Sequence, residues 1–479
     1  MNLSFDRGTL LLQPDGDVES VGIVADLPGV LWDPRVAEYR APAWCYAELR
    51  GALREGGVVV VDELERGWVN RPVGPWRPPE LRPYQQAALL AWEGTGRWGT
   101  LVMPTGSGKT RTAIAAIAAQ GVPALCLVPT RVLLHQWCTE LGRFYPGRVG
   151  VFGDGSHRVE SITVATYESA YRHVARWGDR FQLLVVDEAH HFGGPTRAEA
   201  LELCAAPYRL GLTATPPEAE AAARVARLIG PVVFDVSVGE LAGRWLAEFD
   251  LVVLRLALTR AERLVYDREI EIFRRAYRQF RRVAPSASWA DFVAAASRSA
   301  EGRAALEAWR TTRSLTALTE AKRRTLGALL DRHRASKVLV FTGDNESAYA
   351  IARERLVMPI TCDVSRPERE AALDAFRRGE LRALVSSRVL NEGVDVPDAD
   401  VAIVVGAAHG EREHVQRVGR ILRPSPGKRA VVYELVAAGT SEVRRSDERR
   451  QRLFPESEGG RSDERRQRLV PEGGAGIHA

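Results

Sequence analysis

Short apolar runs alternate with longer amphipathic segments over most of the chain. After a proline-rich stretch at residues 71–79, each run is followed by turn residues and then by apolar positions at helical spacing. Strands that are buried on both faces and alternate with helices are typical of a parallel α/β sheet. The predicted strands of this first series are residues 100–103, 124–128, 162–165, 183–186 and 209–212.

A second series of the same kind follows later in the chain. The segment before it, residues 259–326, has helical spacing, is rich in arginine and is interrupted by Pro-Ser-Ala-Ser at 285–288. The pattern therefore predicts two α/β domains with a helical insertion between them. The predicted strands of the second series are residues 338–341, 383–386, 401–405 and 430–435.

The N-terminal segment, residues 1–70, has a different pattern. It contains strand-like runs at 10–12 and 58–61, and residues 32–46 are predicted to form a loop that enters a helix. Because proline fixes φ and lacks an N–H donor, the stretch at 71–79 is predicted to be a linker that ends this small domain.

The C-terminal segment contains a direct repeat. Residues 445–456 recur almost letter for letter at 461–472. The mixed charge and the neighbouring glycines favour a solvated tail, and a docking peptide for a partner protein is the alternative.

Composition excludes several classes of protein. The 479 residues are 45% apolar and 27% charged, close to globular averages, which excludes wholesale disorder. No run of 18 apolar residues and no N-terminal secretory signal are present, so no membrane span is predicted. The five cysteines are scattered without a CxxC pair, which argues against a zinc site or a disulfide framework. We therefore expect a cytoplasmic protein.

The net charge of +5 is concentrated in one segment. Residues 272–282 contain five arginines and no acidic residue, so the remainder is formally neutral. The arginines could pair with phosphates and an exposed aromatic ring could stack on a base. The alternative is an amphipathic helix with an aromatic core stripe and a solvated basic face. At helical spacing, Phe273, Tyr277 and Phe280 share one face, and Arg274, Arg278 and Arg281 share a neighbouring one.

A phosphate-binding loop is predicted at residues 104–110, which read Pro-Thr-Gly-Ser-Gly-Lys-Thr between a strand and a helix. Glycines let successive N–H groups turn toward one anion, and the helix N-terminus adds partial positive charge. Lys109 can reach the β- and γ-phosphates, and the Thr110 hydroxyl can ligate Mg²⁺. The predicted nucleotide-binding residues of this loop are Thr105, Gly106, Ser107, Gly108, Lys109 and Thr110.

The companion motif follows the strand at 183–186 and reads Asp-Glu-Ala-His. A carboxylate at a strand end can hold Mg²⁺, and the next carboxylate can orient and deprotonate the attacking water. We assign Asp187 to the metal with Thr110, and Glu188 to the water. The two motifs together predict ATP hydrolysis that depends on Mg²⁺.

With these motifs in order, residues 78–440 resemble a superfamily 2 helicase or translocase, which implies two tandem RecA-like parallel-sheet domains. In that family, Arg82 and Gln85 correspond to the adenine-recognition element, with Gln85 as the reader. Thr130, Arg131 and Thr166 correspond to residues of motifs that track the nucleic-acid strand. The resemblance implies a role for His190, Thr213 and Thr215 in coupling hydrolysis to domain movement.

The later motifs of this family also have counterparts. Residues 391–395 resemble motif V and 416–423 resemble motif VI. In the family, motif VI arginines enter the nucleotide site from the second domain, where a guanidinium stabilises the charge on the transferring phosphoryl group. The resemblance implies catalytic roles for Gln416, Arg420 and Arg423 and nucleotide contacts for Gly393 and Asp395.

A narrower resemblance is to the XPB branch, DNA-repair helicases with archaeal and bacterial members. Residues 5–10, 32–35 and 39–42 resemble its small damage-recognition domain, of α+β type, and 259–326 lies where the family has a helical thumb. The implied domains are damage-recognition-like (1–70), linker (71–79), first RecA-like and ATP-binding (80–250), thumb-like (251–326), second RecA-like (327–440) and charged tail (441–479).

One motif of the branch is missing. The family carries Arg-Glu-Asp shortly after the Thr-Ala-Thr motif, where it is linked to duplex opening, but residues 216–220 read Pro-Pro-Glu-Ala-Glu. ATPase activity and translocation are therefore expected, and strand separation stays open. The N-terminal aromatics are expected to form the core of the small domain, with insertion into distorted DNA as the alternative. These aromatics are Trp32, Tyr39, Trp44 and Tyr46.

We predict an ATP- and Mg²⁺-dependent DNA helicase or translocase of XPB type that acts in DNA repair. The expected partners are forked or duplex DNA and a nuclease or other repair protein. A monomer, associated with the nucleoid of a prokaryote and with no membrane, is expected. Two alternatives are a duplex translocase of a restriction or defence system and a nucleotide-gated DNA-binding switch. The motifs do not exclude RNA.

Overall fold

The chain divides into two units, Met1–Val236 and Ser237–Ala479. The first unit holds the small N-terminal domain and the first α/β domain, and the second holds the second α/β domain and the helical insertion. The computed structural model describes residues 1–14, 18–25, 27, 29–193, 195–215, 219–241, 244–245, 248–387, 399–406 and 429–453.

The N-terminal domain is a five-stranded sheet of order β3-β4-β2-β1-β5, antiparallel except for β1 with β5. Its core lies on one face of the alternating strands, where Leu3, Leu10 and Leu12 are fully buried. The strands are β1 Asn2–Asp6, β2 Thr9–Gln13, β3 Leu31–Asp33, β4 Glu38–Pro42 and β5 Val61–Asp62, and the helices are α1 Val18–Ala25, α2 Tyr46–Glu55 and α3 Glu63–Gly67.

Two predictions for this domain were wrong in part, although residues 32–46 do lead into a helix at Tyr46. The segment predicted as a loop at 32–46 contains most of the β3–β4 hairpin, because β3 and β4 pair antiparallel over three residues. The strand predicted at 58–61 is only Val61–Asp62, since residues 58–60, after the turn that follows α2, form no regular strand.

The N-terminal domain packs against the first α/β domain. Gly8 has φ +92°, and a Cβ at this position would lie 2.2 Å from Leu203 Cδ2. Trp44 packs against the core of the α/β domain, with the Arg227 guanidinium 5.5 Å above its ring. Tyr46 is buried, as expected of a core residue, whereas Trp32 is 51% exposed and contacts Tyr39 edge to face.

The first α/β domain is an eight-stranded sheet of order β13-β6-β12-β11-β7-β10-β8-β9, parallel except for β8 with β9. The five predicted strands are confirmed. The strands are β6 Trp98–Val102, β7 Ala124–Val128, β8 Val149–Gly153, β9 Ser156–Arg158, β10 Ile162–Thr166, β11 Leu183–Asp187, β12 Tyr208–Thr213 and β13 Val232–Asp235. The helices are α4 Pro83–Gly94, α5 Lys109–Gln120, α6 Arg131–Phe144, α7 Tyr167–His173, α8 Pro195–Glu202 and α9 Ala219–Leu228.

The second α/β domain is a six-stranded parallel sheet of order β14-β19-β18-β15-β17-β16. Its first strand, β14, pairs with β19 over nine residues, which places the division of the chain before the predicted boundary at residue 250. The strands are β14 Glu248–Leu256, β15 Val338–Phe341, β16 Met358–Ile360, β17 Ala383–Ser386, β18 Val401–Val404 and β19 Arg429–Ala437. The helices outside the insertion are α10 Val238–Leu241, α15 Asn345–Arg355, α16 Arg366–Arg378 and α17 Ser441–Leu453.

The insertion is helical, as predicted, and its first break coincides with Pro-Ser-Ala-Ser at 285–288. Thr259 and Glu262 form a reciprocal capping box that starts α11, since each side chain accepts the other residue's backbone N–H. The aromatics of α11 pack partly buried around Phe292, which is the core interpretation. The helices are α11 Arg260–Val283, α12 Trp289–Ala296, α13 Ala300–Ala317 and α14 Glu320–Arg332.

No helix in the part of the chain that the structure describes is both long and apolar enough to cross a membrane.

Candidate nucleotide and nucleic-acid site

The predicted phosphate loop connects the end of β6 to the start of α5. Gly106 and Gly108 have φ values of +84° and +82°, which only glycine adopts readily, and Gly108 is the N-cap of α5. A loop of this shape directs backbone N–H groups and the helix N-terminus to one point. The structure therefore places a ready anion site where the motif predicts it.

The side chains of the loop divide into two sets. Ser107 is buried and its hydroxyl donates to Pro104 O at 2.7 Å, so it braces the loop. Lys109 Nζ donates to Met103 O and Pro104 O at 3.2 and 3.4 Å, carbonyls that a bound phosphate can replace. Thr105 Oγ1 is buried without a hydrogen-bond partner among the described residues. Thr110 lies in the first turn of α5. These groups fit a nucleotide phosphate and its metal.

Gln85 ties α4 to the loop. Its Nε2 donates to Ser107 O at 2.8 Å, and its Oε1 accepts the Arg82 backbone N–H at 2.9 Å. Tyr84 OH donates to the same Ser107 carbonyl at 2.6 Å. Gln85 is 3% exposed, and Arg82 is the N-cap of α4. The structure thus brings Gln85 to the loop, and its contact with adenine stays a prediction.

Asp187 ends β11 beside the loop. Its Oδ2 accepts the indole N–H of Trp137 at 2.8 Å, and its Oδ1 accepts the Glu188 N–H at 3.0 Å. Burial raises the pKa of the Asp187 carboxyl, while the charge of Lys109 and the bond from Trp137 oppose that rise. A divalent cation favours the ionised form of a buried carboxylate, so Asp187 and Thr110 suit Mg²⁺.

Glu188 has a left-handed backbone, with φ +52°. A non-glycine residue in this region is strained, and such residues concentrate at functional sites. Tyr167 OH donates to the backbone oxygen of Asp187 and, at 3.3 Å, to that of Glu188, which holds the turn. The turn directs the Glu188 carboxylate toward His190, with 3.5 Å between Oε2 and Nδ1.

His190 connects this turn to the end of β12. Its Nδ1 lies 3.1 Å from Thr213 Oγ1, which in turn donates to Thr215 O at 2.8 Å and accepts the Thr215 N–H at 3.1 Å. His190 and Thr213 are buried. The three predicted coupling residues thus form one chain of hydrogen bonds, and the Glu188 carboxylate lies 3.5 Å from its first member.

The strand-tracking residues of the first domain lie at helix starts. Thr130 Oγ1 accepts the Leu133 N–H at 3.2 Å and caps α6. Thr166 Oγ1 accepts the Ser169 N–H at 3.3 Å and caps α7. Arg131 is largely exposed and lies 3.3 Å from Asp154. The hydroxyls of both threonines have structural roles, and contact of these residues with DNA stays a prediction.

The predicted arginines of α11 are exposed but differ in their surroundings. Arg278 pairs with Glu271 at 2.8 Å, and Arg281 donates to Ala287 O at 2.9 Å. Arg274 lines a groove of about 990 Å³ between α11, α13 and the start of α17. The groove is lined by the aromatic residues Tyr266, Phe273, Tyr277, Trp289 and Trp309 and by the arginines Arg274, Arg313, Arg444 and Arg445.

Five predicted site residues lie outside the described residues. They are Gly393, Asp395, Gln416, Arg420 and Arg423. Residues 216–218, which stand where the family has its Arg-Glu-Asp motif, also lie outside the described residues.

Sequence reasoning missed Trp137 and the role of Tyr84. In the sequence, a tryptophan on the apolar face of a helix indicates only a core position. That Trp137 lies beside Asp187 at the end of β11 is visible only in the fold. Tyr84 lies within the predicted adenine-recognition element, one residue before Gln85, so its closeness to the loop could have been inferred.

Three family profiles match the chain. Residues 3–64 match "Xeroderma pigmentosum group B helicase damage recognition domain". Residues 78–218 match "Type III restriction enzyme, res subunit", and 321–425 match "Helicase conserved C-terminal domain".

The similar proteins agree with these profiles. The DNA 3'-5' translocase XPB2 of Sulfurisphaera tokodaii is 36% identical over 434 residues, which cover 88% of this chain and 96% of that protein. The DNA 3'-5' helicase XPB of Mycobacterium tuberculosis is 29% identical, covering 79% of this chain and 65% of its own length. The crystal structure of the Pyrococcus furiosus Hef helicase domain aligns with TM-score 0.52 and 20% identity, over 77% of this chain and 98% of that one. The likeness to Hef confirms the predicted helicase fold of RecA-like domains.

Proposed function

Since the chain belongs to the XPB-type family of superfamily 2 helicases, we propose that it couples ATP hydrolysis to movement on DNA, or opening of DNA, during repair. The observation that carries this proposal is the closeness of Glu188 to the hydrogen bond between His190 and Thr213, in the turn that follows Asp187 beside the phosphate loop. A site of this form brings the nucleotide chemistry close to the end of β12, where Thr213 lies.

The chemistry of the proposed site uses the residues already in place. The loop N–H groups and Lys109 bind the β- and γ-phosphates, and Glu188 accepts the proton of the attacking water as the bond to the β-phosphate oxygen breaks. Mg²⁺, held by Thr110 and Asp187, supplies charge neutralisation when bound. Arg420 and Arg423 are proposed to complete the site.

The coupling step begins at Glu188. A change in the charge around its carboxylate alters the interaction with His190, which also contacts Thr213 Oγ1. Since Thr213 holds Thr215 by two hydrogen bonds, a movement of Thr213 would change the conformation of the backbone after β12. We propose that this is how hydrolysis changes the conformation of the first domain.

Replacement of two site residues tests the ATPase assignment. Lys109→Ala and Glu188→Gln are expected to lower the DNA-stimulated ATPase rate by about 100-fold or more, because phosphate binding or proton acceptance is lost. Glu199→Gln is the control, as Glu199 is exposed on α8. If either site variant hydrolysed ATP at the wild-type rate, the site would be assigned wrongly.

We also propose that the aromatic groove contacts DNA. Four arginines and no carboxylate line it among the described residues, and Trp289 is 40% exposed. Guanidinium groups bind phosphates and aromatic faces stack on bases, so the groove suits an unpaired stretch of DNA.

A matched pair of arginines tests the groove. Arg274→Ala is expected to weaken binding of single-stranded DNA severalfold. Arg275→Ala is the matched control, because it removes the same charge from the neighbouring residue, which is exposed but does not line the groove. Trp289→Ala is expected to cost about tenfold through lost stacking. Fluorescence anisotropy at fixed salt measures both, and equal effects of the two arginine variants would argue for diffuse attraction only.

A duplex translocase that does not separate strands is the second candidate. The missing Arg-Glu-Asp motif at 216–220 and the match of 78–218 to a restriction-enzyme subunit favour it. Strand displacement on forked DNA, compared with triplex displacement on intact duplex, separates the two functions. A nucleotide-gated switch would instead show single-turnover ATPase that DNA does not accelerate.

We propose a monomer that works on forked or duplex DNA in the cytoplasm, associated with the nucleoid, together with a nuclease or another repair protein. Light scattering of the purified chain, alone and with DNA, tests the monomer.

A further inference from the structure

An ion pair with a fully buried lysine fixes the C-terminal helix α17 to the rest of the second unit. Lys322, fully buried on α14, donates from Nζ to Glu442 Oε2 at 2.8 Å and to Thr316 O at 2.7 Å. The same Glu442 oxygen accepts the Ala437 N–H at 2.9 Å. Removing one member of a buried pair leaves an uncompensated charge, so Glu442 is a strong anchor.

Further contacts set the register of α17. Ser446 Oγ donates to Glu434 Oε2 at 2.9 Å, and both residues are buried. Asp447 lies 3.3 Å from Arg255 on β14. At the start of the helix, the Ser441 N–H donates to Tyr266 OH at 3.0 Å.

The docked sequence occurs twice in tandem. Residues 441–456 read SEVRRSDERRQRLFPE, and 457–472 read SEGGRSDERRQRLVPE, so the second copy follows the first directly and differs at three positions. Each anchoring side chain has its counterpart sixteen residues later. These counterparts are Glu458 for Glu442, Ser462 for Ser446 and Asp463 for Asp447.

We propose that Arg255, Tyr266, Lys322 and Glu434 form a docking site for this repeat, and that the second copy, residues 457–472 of the same chain, is its alternative occupant. When the first copy leaves as a loop, Ser457 takes the place of Ser441 and every anchoring contact can form again.

The first copy is the preferred occupant. Gly459 and Gly460 replace Val443 and Arg444 in the first turn, and because glycine disfavours helix, this contributes about tenfold to the preference for the first copy. Exchange also changes the aromatic groove, because Arg444 lines it and its counterpart is a glycine. Occupancy by the second copy therefore removes one of the four groove arginines.

A mutant cycle in the full chain tests the exchange. Glu458→Gln alone is expected to leave the melting temperature unchanged, and Glu442→Gln alone to lower it slightly, because the second copy takes over. The double variant is expected to lower it by several degrees, since Lys322 then loses both carboxylates. Glu464→Gln is the matched control, because its counterpart Glu448 is exposed.

Two further measurements keep the outcome decisive. In Glu442→Gln, hydrogen exchange should become slower in residues 457–472 than in the wild type. In a chain that lacks 441–456, where Ser457 follows Thr440 directly, Glu458→Gln should lower the melting temperature by several degrees. If residue 458 has no effect in both backgrounds and 457–472 gains no protection, the second copy does not dock.

Discussion

Gly108 satisfies two requirements at the centre of the nucleotide site. Its φ of +82° suits glycine, and a Cβ there would lie 2.5 Å from Gln85 Nε2. The residue therefore allows both the turn of the loop and the close approach of α4. Gly121, at the other end of α5, has φ +58° but open space around it.

Gly108→Ala is expected to weaken ATP binding by about tenfold or more, because the added methyl group displaces Gln85 as well as straining the backbone. Gly121→Ala carries only the strain of a left-handed residue, about 1 kcal/mol, and is expected to leave ATP binding unchanged. Equilibrium binding of a fluorescent nucleotide, with melting temperatures of both variants, compares them. Equal nucleotide affinity of the two variants would show that the contact with Gln85 does not matter.

At the scale of elements, α6 joins the two predicted activities of the first domain. Its N-terminus carries Thr130 and Arg131, which are predicted to contact DNA, and its middle carries Trp137, which donates to Asp187. A shift of this helix when DNA binds would move Trp137 and so change its hydrogen bond to Asp187, the carboxylate predicted to hold Mg²⁺.

Trp137→Phe keeps an aromatic ring but removes the N–H donor to Asp187. We expect the Mg²⁺ concentration for half-maximal ATPase to rise by about 10-fold or more, as for other partners of metal ligands. Trp92→Phe is the matched control, because its buried indole donates to Arg209 O at 2.8 Å, a backbone atom with no part in the predicted metal site. An unchanged Mg²⁺ dependence in Trp137→Phe would mean that the bond does not position Asp187.

Some elements could be predicted from the sequence and others could not. The central strands of the first domain, such as β7 and β11, are buried at every position, so they appear as continuous apolar runs. The β3–β4 hairpin escaped prediction because Leu31 and Trp32 are exposed and alternation is weak. The place of β14 depends on pairing with β19, far away in the chain, which no local pattern reveals.

The same distinction holds in the site. Fixed spacing identified Lys109, Asp187 and Glu188, since phosphate and metal chemistry require these residue types in this order. The bond from Trp137 and the left-handed backbone of Glu188 arise from packing between distant segments and were visible only in the fold.

At the scale of the whole molecule, the chain combines a nucleotide site in the first unit with a concentrated basic surface in the second. The five arginines of 272–282 equal the whole net charge, and one of them lines the aromatic groove. Attraction for a polyanion is therefore local, and it should weaken as salt rises, because binding releases counterions.

We propose that this chain is a motor driven by ATP and activated by DNA. The most direct test is the steady-state ATPase rate of the full chain with duplex, forked and single-stranded DNA and with RNA, all at one stated salt concentration. We expect at least about tenfold stimulation by DNA, with forked or duplex DNA the best activator. Greater stimulation by RNA, or a rate that no nucleic acid changes, would contradict it.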